Sequence, residues 1–241
     1  MIASARWGAA PLAPQMPLLT AMRSLFPAQV AVALTDPGAP HPAPWPAEAS
    51  AILRAVPARR AEFAAGRAAI RTAMADLGWP AAGVPMGADR APVWPTGLTG
   101  SLSHCATLCV AALAPTSQFR AIGVDLEEAT DLPPDLILQI CTPPERAWLA
   151  CQPTAQRGRL AKLIFSAKEC AYKCQYPLTG TLFDFDTLEI TPDLDAGQFE
   201  ATFTRAIGRF DTGACLSGRF VIEAGLIGCG MALPQWGQGR G

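Results

Sequence analysis

Residues 121–129 read AIGVDLEEA, an apolar strand-forming run that carries acids at Asp125, Glu127 and Glu128. A strand alternates its side chains between two faces. Ile122, Val124 and Leu126 therefore point one way, and Gly123, Asp125 and Glu127 the other. The first face belongs to a core. The second sets two carboxylates side by side, next to a glycine that leaves room for a close approach. Carboxylates are costly to bury unless they are paired or hold a metal. The run is thus either an edge strand with one solvated face or one wall of a site for a hard cation. Mg²⁺ fits the second reading, since it takes one or two carboxylates and completes its shell with water and phosphate oxygens. Glu128 falls on the other face or in the following turn, and we expect it to be solvated and dispensable.

The chain has 241 residues, enough for one large domain or two small halves. Half the residues are hydrophobic and 16% are charged, below the roughly 25% of an average soluble domain. Much of that apolar fraction is alanine. The net charge of −1 argues against non-specific nucleic-acid binding. No stretch approaches the ~20 apolar residues of a membrane span. Prolines 11, 14 and 17 interrupt the N-terminus, so we expect no signal peptide and a cytoplasmic protein. The eight cysteines (105, 109, 141, 151, 170, 174, 215, 229) include two pairs four apart but no CxxC. Buried free thiols are expected over zinc ligands.

Along the chain, 28–34 reads as a strand and the proline-rich 37–46 as a loop. A short helix is expected in 47–56. Pro57 opens a longer one through Leu77, closed by Gly78, with Phe63, Ile70, Met74 and Leu77 as its buried stripe. Arg60, Arg67 and Arg71 share a neighbouring face, with Arg59 about a quarter-turn away. Residues 78–100 read as loop. Strands are expected at 108–114 and 122–127, and helices near 134–141, from 143, and at 158–176. Further strands fall near 184–190, 198–204, 218–223 and 226–232, with a turn at 223–225. The lack of regular βα alternation favours an α+β fold. Residues 114–117 (APTS) are the candidate connection between two halves.

Two more segments carry chemistry. In KLIFSAKECAYK (162–173), Lys162, Ser166, Glu169 and Lys173 form one polar stripe on an otherwise apolar helix. This is a surface stripe with a favoured Glu169–Lys173 ion pair, or a third carboxylate for the metal with Lys168 and Lys173 near a phosphate. PVWPTGLTGSLSHC (92–105) reads as a loop of small and hydroxyl residues ending in Ser103-His104. It is a plausible phosphate cradle, although a lone histidine is more often structural. The arginines of 59–71 supply forks suited to phosphates. Three acids, several cations and a cradle are what a Mg²⁺–pyrophosphate site needs.

The ordered set GSLSHC (100–105), GVDLE (123–127) and FSAKECAYK (165–173) resembles the 4′-phosphopantetheinyl transferases of the surfactin type. ARRAEFAAGRAAIRTAMADLG (58–78), PVWP (92–95) and GRFVIEAGLIGCGMALP (218–234) bring it nearer their enterobactin-synthase branch. The resemblance implies a pseudo-dimer of two similar α+β subdomains, here 1–116 and 117–241, with the active site in the cleft between them. It implies Asp125, Glu127 and Glu169 as Mg²⁺ ligands, Lys173 at the pyrophosphate of coenzyme A and Lys168 close by. Ser103 and His104 match positions near the phosphates. Arg59, Arg67 and, less closely, Arg90 match the basic positions for the adenosine end. Phe165 replaces the family's usual tryptophan, an expected packing change.

The implied reaction moves the phosphopantetheine arm of coenzyme A onto a serine of an acyl, peptidyl or aryl carrier protein and releases 3′,5′-ADP. The carrier of a siderophore-forming non-ribosomal peptide synthetase is one candidate. The implied base is Glu169, directly or through a metal-bound water, with Glu127 second. Two other readings compete: a Mg²⁺-dependent nucleotide hydrolase or phosphotransferase, and a non-catalytic coenzyme A-binding protein. A monomer is expected.

Overall fold

The computed structural model describes residues 16–235. The reading of the N-terminus thus falls, for residues 1–15, outside the described residues. Two antiparallel sheets, each carrying one long helix, make up the molecule, so the α+β pseudo-dimer is the observed architecture.

In the first half, α1 (Met16–Ser24) leads into β1 (Ala31–Thr35), and the proline-rich loop follows. A single helical turn, α2 (Pro46–Ala49), and a 3₁₀ turn precede α3 (Pro57–Asp76). Pro57 suits the first turn of α3, where its missing N–H has no partner to lose. Gly78 ends the helix with φ of 67°, which an L side chain adopts at a cost. Phe63, Ile70 and Met74 form the buried stripe, which packs on the sheet order β1–β3–β2, with β2 Leu98–His104 and β3 Cys109–Pro115. The structure corrects the sequence reading at β2: Ser103 and His104 lie on a strand, not in a glycine-rich turn. Its small side chains let it pack closely, and a Cβ on Gly100 would stand 2.8 Å from the Ala112 carbonyl oxygen.

The second half begins with β4 (Phe119–Glu128), followed by the short helices α4 (Pro134–Ile140) and α5 (Pro143–Ala150). Thr142 and Glu145 form a capping box at the start of α5. The long helix α6 (Arg157–Thr179) crosses a five-stranded sheet of order β4–β8–β7–β6–β5. Its other strands are β5 (Leu188–Asp193), β6 (Gln198–Phe203), β7 (Cys215–Glu223) and β8 (Leu226–Pro234). Ala224 and Gly225, with φ of 51° and 77°, make the tight β7–β8 turn.

The two halves meet at the free edges of β2 and β4. Val124 N–H donates to Ser101 Oγ at 3.0 Å, and Ser103 Oγ donates to Asp125 Oδ1 at 2.8 Å. The hydroxyls of β2 thus satisfy an edge that strand pairing does not. On one side of this seam Val32, Val110, Ile122, Val124 and Leu126 share a core with Leu18, Met22 and Phe26 from α1 and the segment after it. On the other, α6 lies on the Gly123–Asp125 face of β4. A Cβ on Gly123 would stand 2.2 Å from the Cys170 carbonyl oxygen, so only glycine lets the helix come this close. Helix α1 had no counterpart in the sequence reading. β4 is an edge strand, but its Asp125 face is covered, not solvated.

Candidate active site

The close crossing of α6 over β4 sets the site. Asp125 is buried, 2% exposed, and held from three directions. Lys173 Nζ donates to Oδ1 at 2.5 Å, Ser103 Oγ to the same oxygen at 2.8 Å, and Ser166 Oγ to Oδ2 at 2.8 Å. Lys173 also donates to Ser103 Oγ at 3.0 Å, closing a ring across the seam. Burial alone lowers the pKa of the Lys173 ammonium. The charge and hydrogen bond of Asp125, with Glu169 beyond, reverse that and hold it above its ordinary value. The Glu169–Lys173 surface pair weighed from the sequence does not form, because Lys173 is drawn inward to Asp125.

Glu127 lies two residues on, half-buried, with Lys162 Nζ 3.4 Å from its Oε2. Glu169 lines the same wall and has no hydrogen-bond or ion-pair partner among the described residues. Burial first, then the charge of Asp125, raises the Glu127 carboxyl. Burial, with Asp125 and Glu127 adding and Lys173 opposing, raises that of Glu169. Among the described residues no three such groups stand arranged as a ready metal cluster. The oxygens of Asp125 are taken by two hydroxyls and an ammonium, and Glu127 by Lys162.

These residues form one wall of a cavity of about 720 Å³ between the halves. The opposite wall comes from α3 and β2. Arg59 donates from Nη1 to His104 Nε2 at 2.8 Å and pairs with Glu62 at 3.0 Å. Arginine has no acceptor, so His104 carries its proton on Nδ1 and is neutral. Desolvation in the cleft, then the Arg59 charge, lowers its pKa. Arg67 is 3% exposed, stacks over Phe63 at 4.1 Å and leaves Nε without a hydrogen bond. Burial brings its guanidinium down to about 10. Arg90, with φ of 69°, lines the same cavity from the 86–92 loop. That loop is tied to α6 by Tyr176 Oη donating to Asp89 at 2.9 Å.

Four sequence expectations change. Lys168 does not line the cleft. It is 2% exposed, pairs with Glu145 at 2.8 Å and donates to the Ile140 and Phe185 carbonyls. Its face of α6 meets α4 and α5, so its charge is spent inside the second half. Arg71 is likewise buried against Glu48 at 3.0 Å and does not reach the cavity. Arg60 closes the turn before α3 by donating to the Leu53 and Ala55 carbonyls. Ser166, placed in a polar stripe by spacing, is fully buried against Asp125. Sequence reasoning gave no role to Glu48, which lies in an apolar-looking segment, or to Ser101. The alternation of hydroxyls through GSLSH was the signal available for the latter.

Residues 47–114 match the family model of the 4′-phosphopantetheinyl transferase N-terminal domain, and residues 121–222 that of the 4′-phosphopantetheinyl transferase superfamily. 4′-Phosphopantetheinyl transferase Svp of Streptomyces mobaraensis is 41% identical over 172 residues, 70% of this chain and 70% of that protein. 4′-Phosphopantetheinyl transferase PptT of Mycobacterium tuberculosis is 34% identical over 221 residues, 86% of this chain and 96% of its own. Enterobactin synthase component D of Salmonella typhi is 42% identical over 141 residues, 55% of each chain. Two family models in tandem, a relative matched over nearly its whole length, and a two-sheet fold agree: the chain belongs to the 4′-phosphopantetheinyl transferase superfamily of enzymes, on the enterobactin-synthase side of it.

Proposed function

We propose that the cleft moves the 4′-phosphopantetheine arm of coenzyme A onto a serine of an apo carrier protein, with Mg²⁺, and releases 3′,5′-ADP. One observation carries this reading. Asp125 and Lys173, flanked by Glu127 and Glu169, face Arg59 and Arg67 across one cavity. An acidic wall with a fixed ammonium opposite two guanidiniums suits a diphosphate ester with a second anionic end.

The residues fit Mg²⁺. Their donors are hard oxygens, and three carboxylates stand there against the ammoniums of Lys162 and Lys173, with burial raising the carboxyls of Glu127 and Glu169. Asp125, Glu127 and Glu169 would hold the ion. When bound, it supplies charge neutralisation at the pyrophosphate. Lys173 holds the pyrophosphate from the α6 side. Ser103 and His104 line its path, and Arg59, Arg67 and Arg90 take the adenosine end. The carrier serine oxygen attacks the β-phosphorus, and the bond to the bridging oxygen of 3′,5′-ADP breaks. Glu169 takes the serine proton, directly or through a water: it stands on the cavity wall with no hydrogen-bond or ion-pair partner among the described residues, and burial raises its carboxyl above the ordinary range. Glu127 is the second choice.

The carrier is an acyl, peptidyl or aryl carrier protein. The likeness to enterobactin synthase component D supports a siderophore-forming peptide synthetase as its host. We place the enzyme in the cytoplasm as a monomer, with halves 1–116 and 117–241. No helix of the described residues is long and apolar enough to cross a membrane. Intact mass of an apo carrier, incubated with the enzyme and coenzyme A, tests the reading. Gain of one phosphopantetheine arm with Mg²⁺ and none with EDTA is expected. Coenzyme A cleavage without carrier modification points to a hydrolase, and binding without either product to a non-catalytic binder.

A further inference from the structure

Arg67 and Arg71 lie one turn apart on α3, so both guanidiniums turn toward one carboxylate, that of Glu48 on α2. Glu48 is fully buried, and its two oxygens are crowded with donors. Arg71 Nη1 donates to Oε1 at 3.0 Å and to Oε2 at 3.2 Å. The Val84 N–H donates to Oε1 at 2.9 Å, and the Trp45 N–H to Oε2 at 2.8 Å. A carboxylate offers about four lone-pair sites, two on each oxygen, so every site is taken. Arg67 Nε stands 3.8 Å from Oε1 and makes no hydrogen bond among the described residues. It has the charge of Glu48 nearby and no place on it. Its guanidinium stacks instead over Phe63, and both residues line the cavity.

We infer that Arg71, which does not reach the cavity, is a positioning residue for coenzyme A: by saturating Glu48 it keeps Arg67 on the cavity wall. This rests on the coenzyme A reading above, with Arg67 at the adenosine end. Removing Arg71 opens one site on each Glu48 oxygen, Oε1 included. A shift of about 1 Å then brings Arg67 Nε into bonding range of Oε1. Burial drives that shift, because a buried carboxylate and a buried guanidinium are both costly to leave unpaired. The new pair draws Arg67 off Phe63 and offsets its charge. The ligand then meets a guanidinium that is already satisfied.

Calorimetry with coenzyme A and with dephospho-coenzyme A tests this in wild type, R67A, R71M, R71Q, R71K and the double variants R67A/R71M and R67A/R71Q. A glutamine amide falls two bonds short of the arginine Nη1, so R71Q also vacates Glu48 and carries the test where R71M fails to fold. R71M and R71Q should bind coenzyme A about tenfold more weakly than wild type, with a smaller loss for dephospho-coenzyme A. Only one nitrogen of Arg71 donates to Glu48, so the point charge of R71K can stand in for it and should keep binding within about threefold. In the R67A background either neutral change at 71 should add less than about twofold, since its effect passes through Arg67. Wild-type affinity in the neutral variants at 71 overturns the inference, as does R71K losing as much as they do. A double variant that loses the product of both single effects overturns it too. If R67A binds coenzyme A as wild type does, the assignment of Arg67 itself falls and takes the inference with it.

Discussion

Lys173 and Asp125 stand 2.5 Å apart across the seam between two sheets, and every other candidate site residue is arranged around that pair. Asp125 is 3% exposed in its side chain and Lys173 26%, so the pair is neither solvated nor fully dry. Breaking it leaves a buried carboxylate with two hydroxyls and no cation. Lys173→Met should cost about 2–4 kcal/mol of stability, somewhat below a fully buried pair because one partner reaches water. Lys173→Met combined with Asp125→Asn should recover part of that stability and none of the transfer. Chemical denaturation of the three variants checks this, and a double variant no more stable than the single one contradicts it.

Ser166 holds the other oxygen of Asp125 and touches nothing in the cavity. Ser166→Ala removes one hydrogen bond to a charged group and should cost about 1–3 kcal/mol. The loss should appear in kcat more than in KM for coenzyme A, because the carboxylate is left free to turn. Steady-state kinetics decide it: a KM effect alone assigns Ser166 to substrate contact.

The crossing of α6 over β4 depends on Gly123. A Cβ 2.2 Å from a helix carbonyl forces the helix outward, carrying Glu169 and Lys173 with it. Gly123→Ala should destabilise by about 3 kcal/mol and lower transfer even in the folded fraction. Gly225→Ala is the contrast. Nothing lies within 4 Å of its Cβ and only φ of 77° opposes it, so it should cost about 1 kcal/mol and leave activity alone. Urea unfolding with parallel rate measurements ranks the two, and equal effects contradict the crossing argument.

Lys168 is a buried cation away from the cavity, whereas Arg67 is both paired with buried Glu48 at 3.8 Å and on the cavity wall. Lys168→Met breaks a pair in which both side chains are almost fully buried and should cost about 3–5 kcal/mol. Its KM for coenzyme A, measured on folded protein, should stay within about twofold of wild type. Arg67→Ala should instead weaken coenzyme A binding roughly tenfold or more, and less so for dephospho-coenzyme A. Calorimetry with both ligands reads this, and a Lys168 variant with the larger binding defect reverses the assignment.

Much of this was legible from spacing alone. Alternation in AIGVDLEEA separated Ile122, Val124 and Leu126 from Asp125 and Glu127, and the structure buries the first set in the inter-sheet core. Helical spacing put Phe63, Ile70 and Met74 on one buried face. Lys168 and Lys173 could not be told apart in this way. Both are lysines on one helix, and only the packing of α4 and α5 against one face decides which becomes a buried structural cation. The strand β2 was hidden because glycine and serine carry little strand propensity. It pairs with β3 along its whole length, and its hydroxyls cap the free edge of β4, a contact between segments more than twenty residues apart. Glu48 was hidden for the same reason, since Arg71 and the Val84 N–H that hold it are distant in sequence.

The central claim is that the wall of Asp125, Glu127 and Glu169, with Lys173, carries group transfer to a carrier serine. Single-turnover measurement of holo-carrier and 3′,5′-ADP together, in wild type and Glu169→Gln, tests it most directly. Wild type should yield the two products in equal amounts with Mg²⁺. Glu169→Gln should bind coenzyme A but form both about a hundredfold or more slowly, the loss expected for a general base. Wild-type rates in Glu169→Gln, or 3′,5′-ADP released without holo-carrier, would contradict the account.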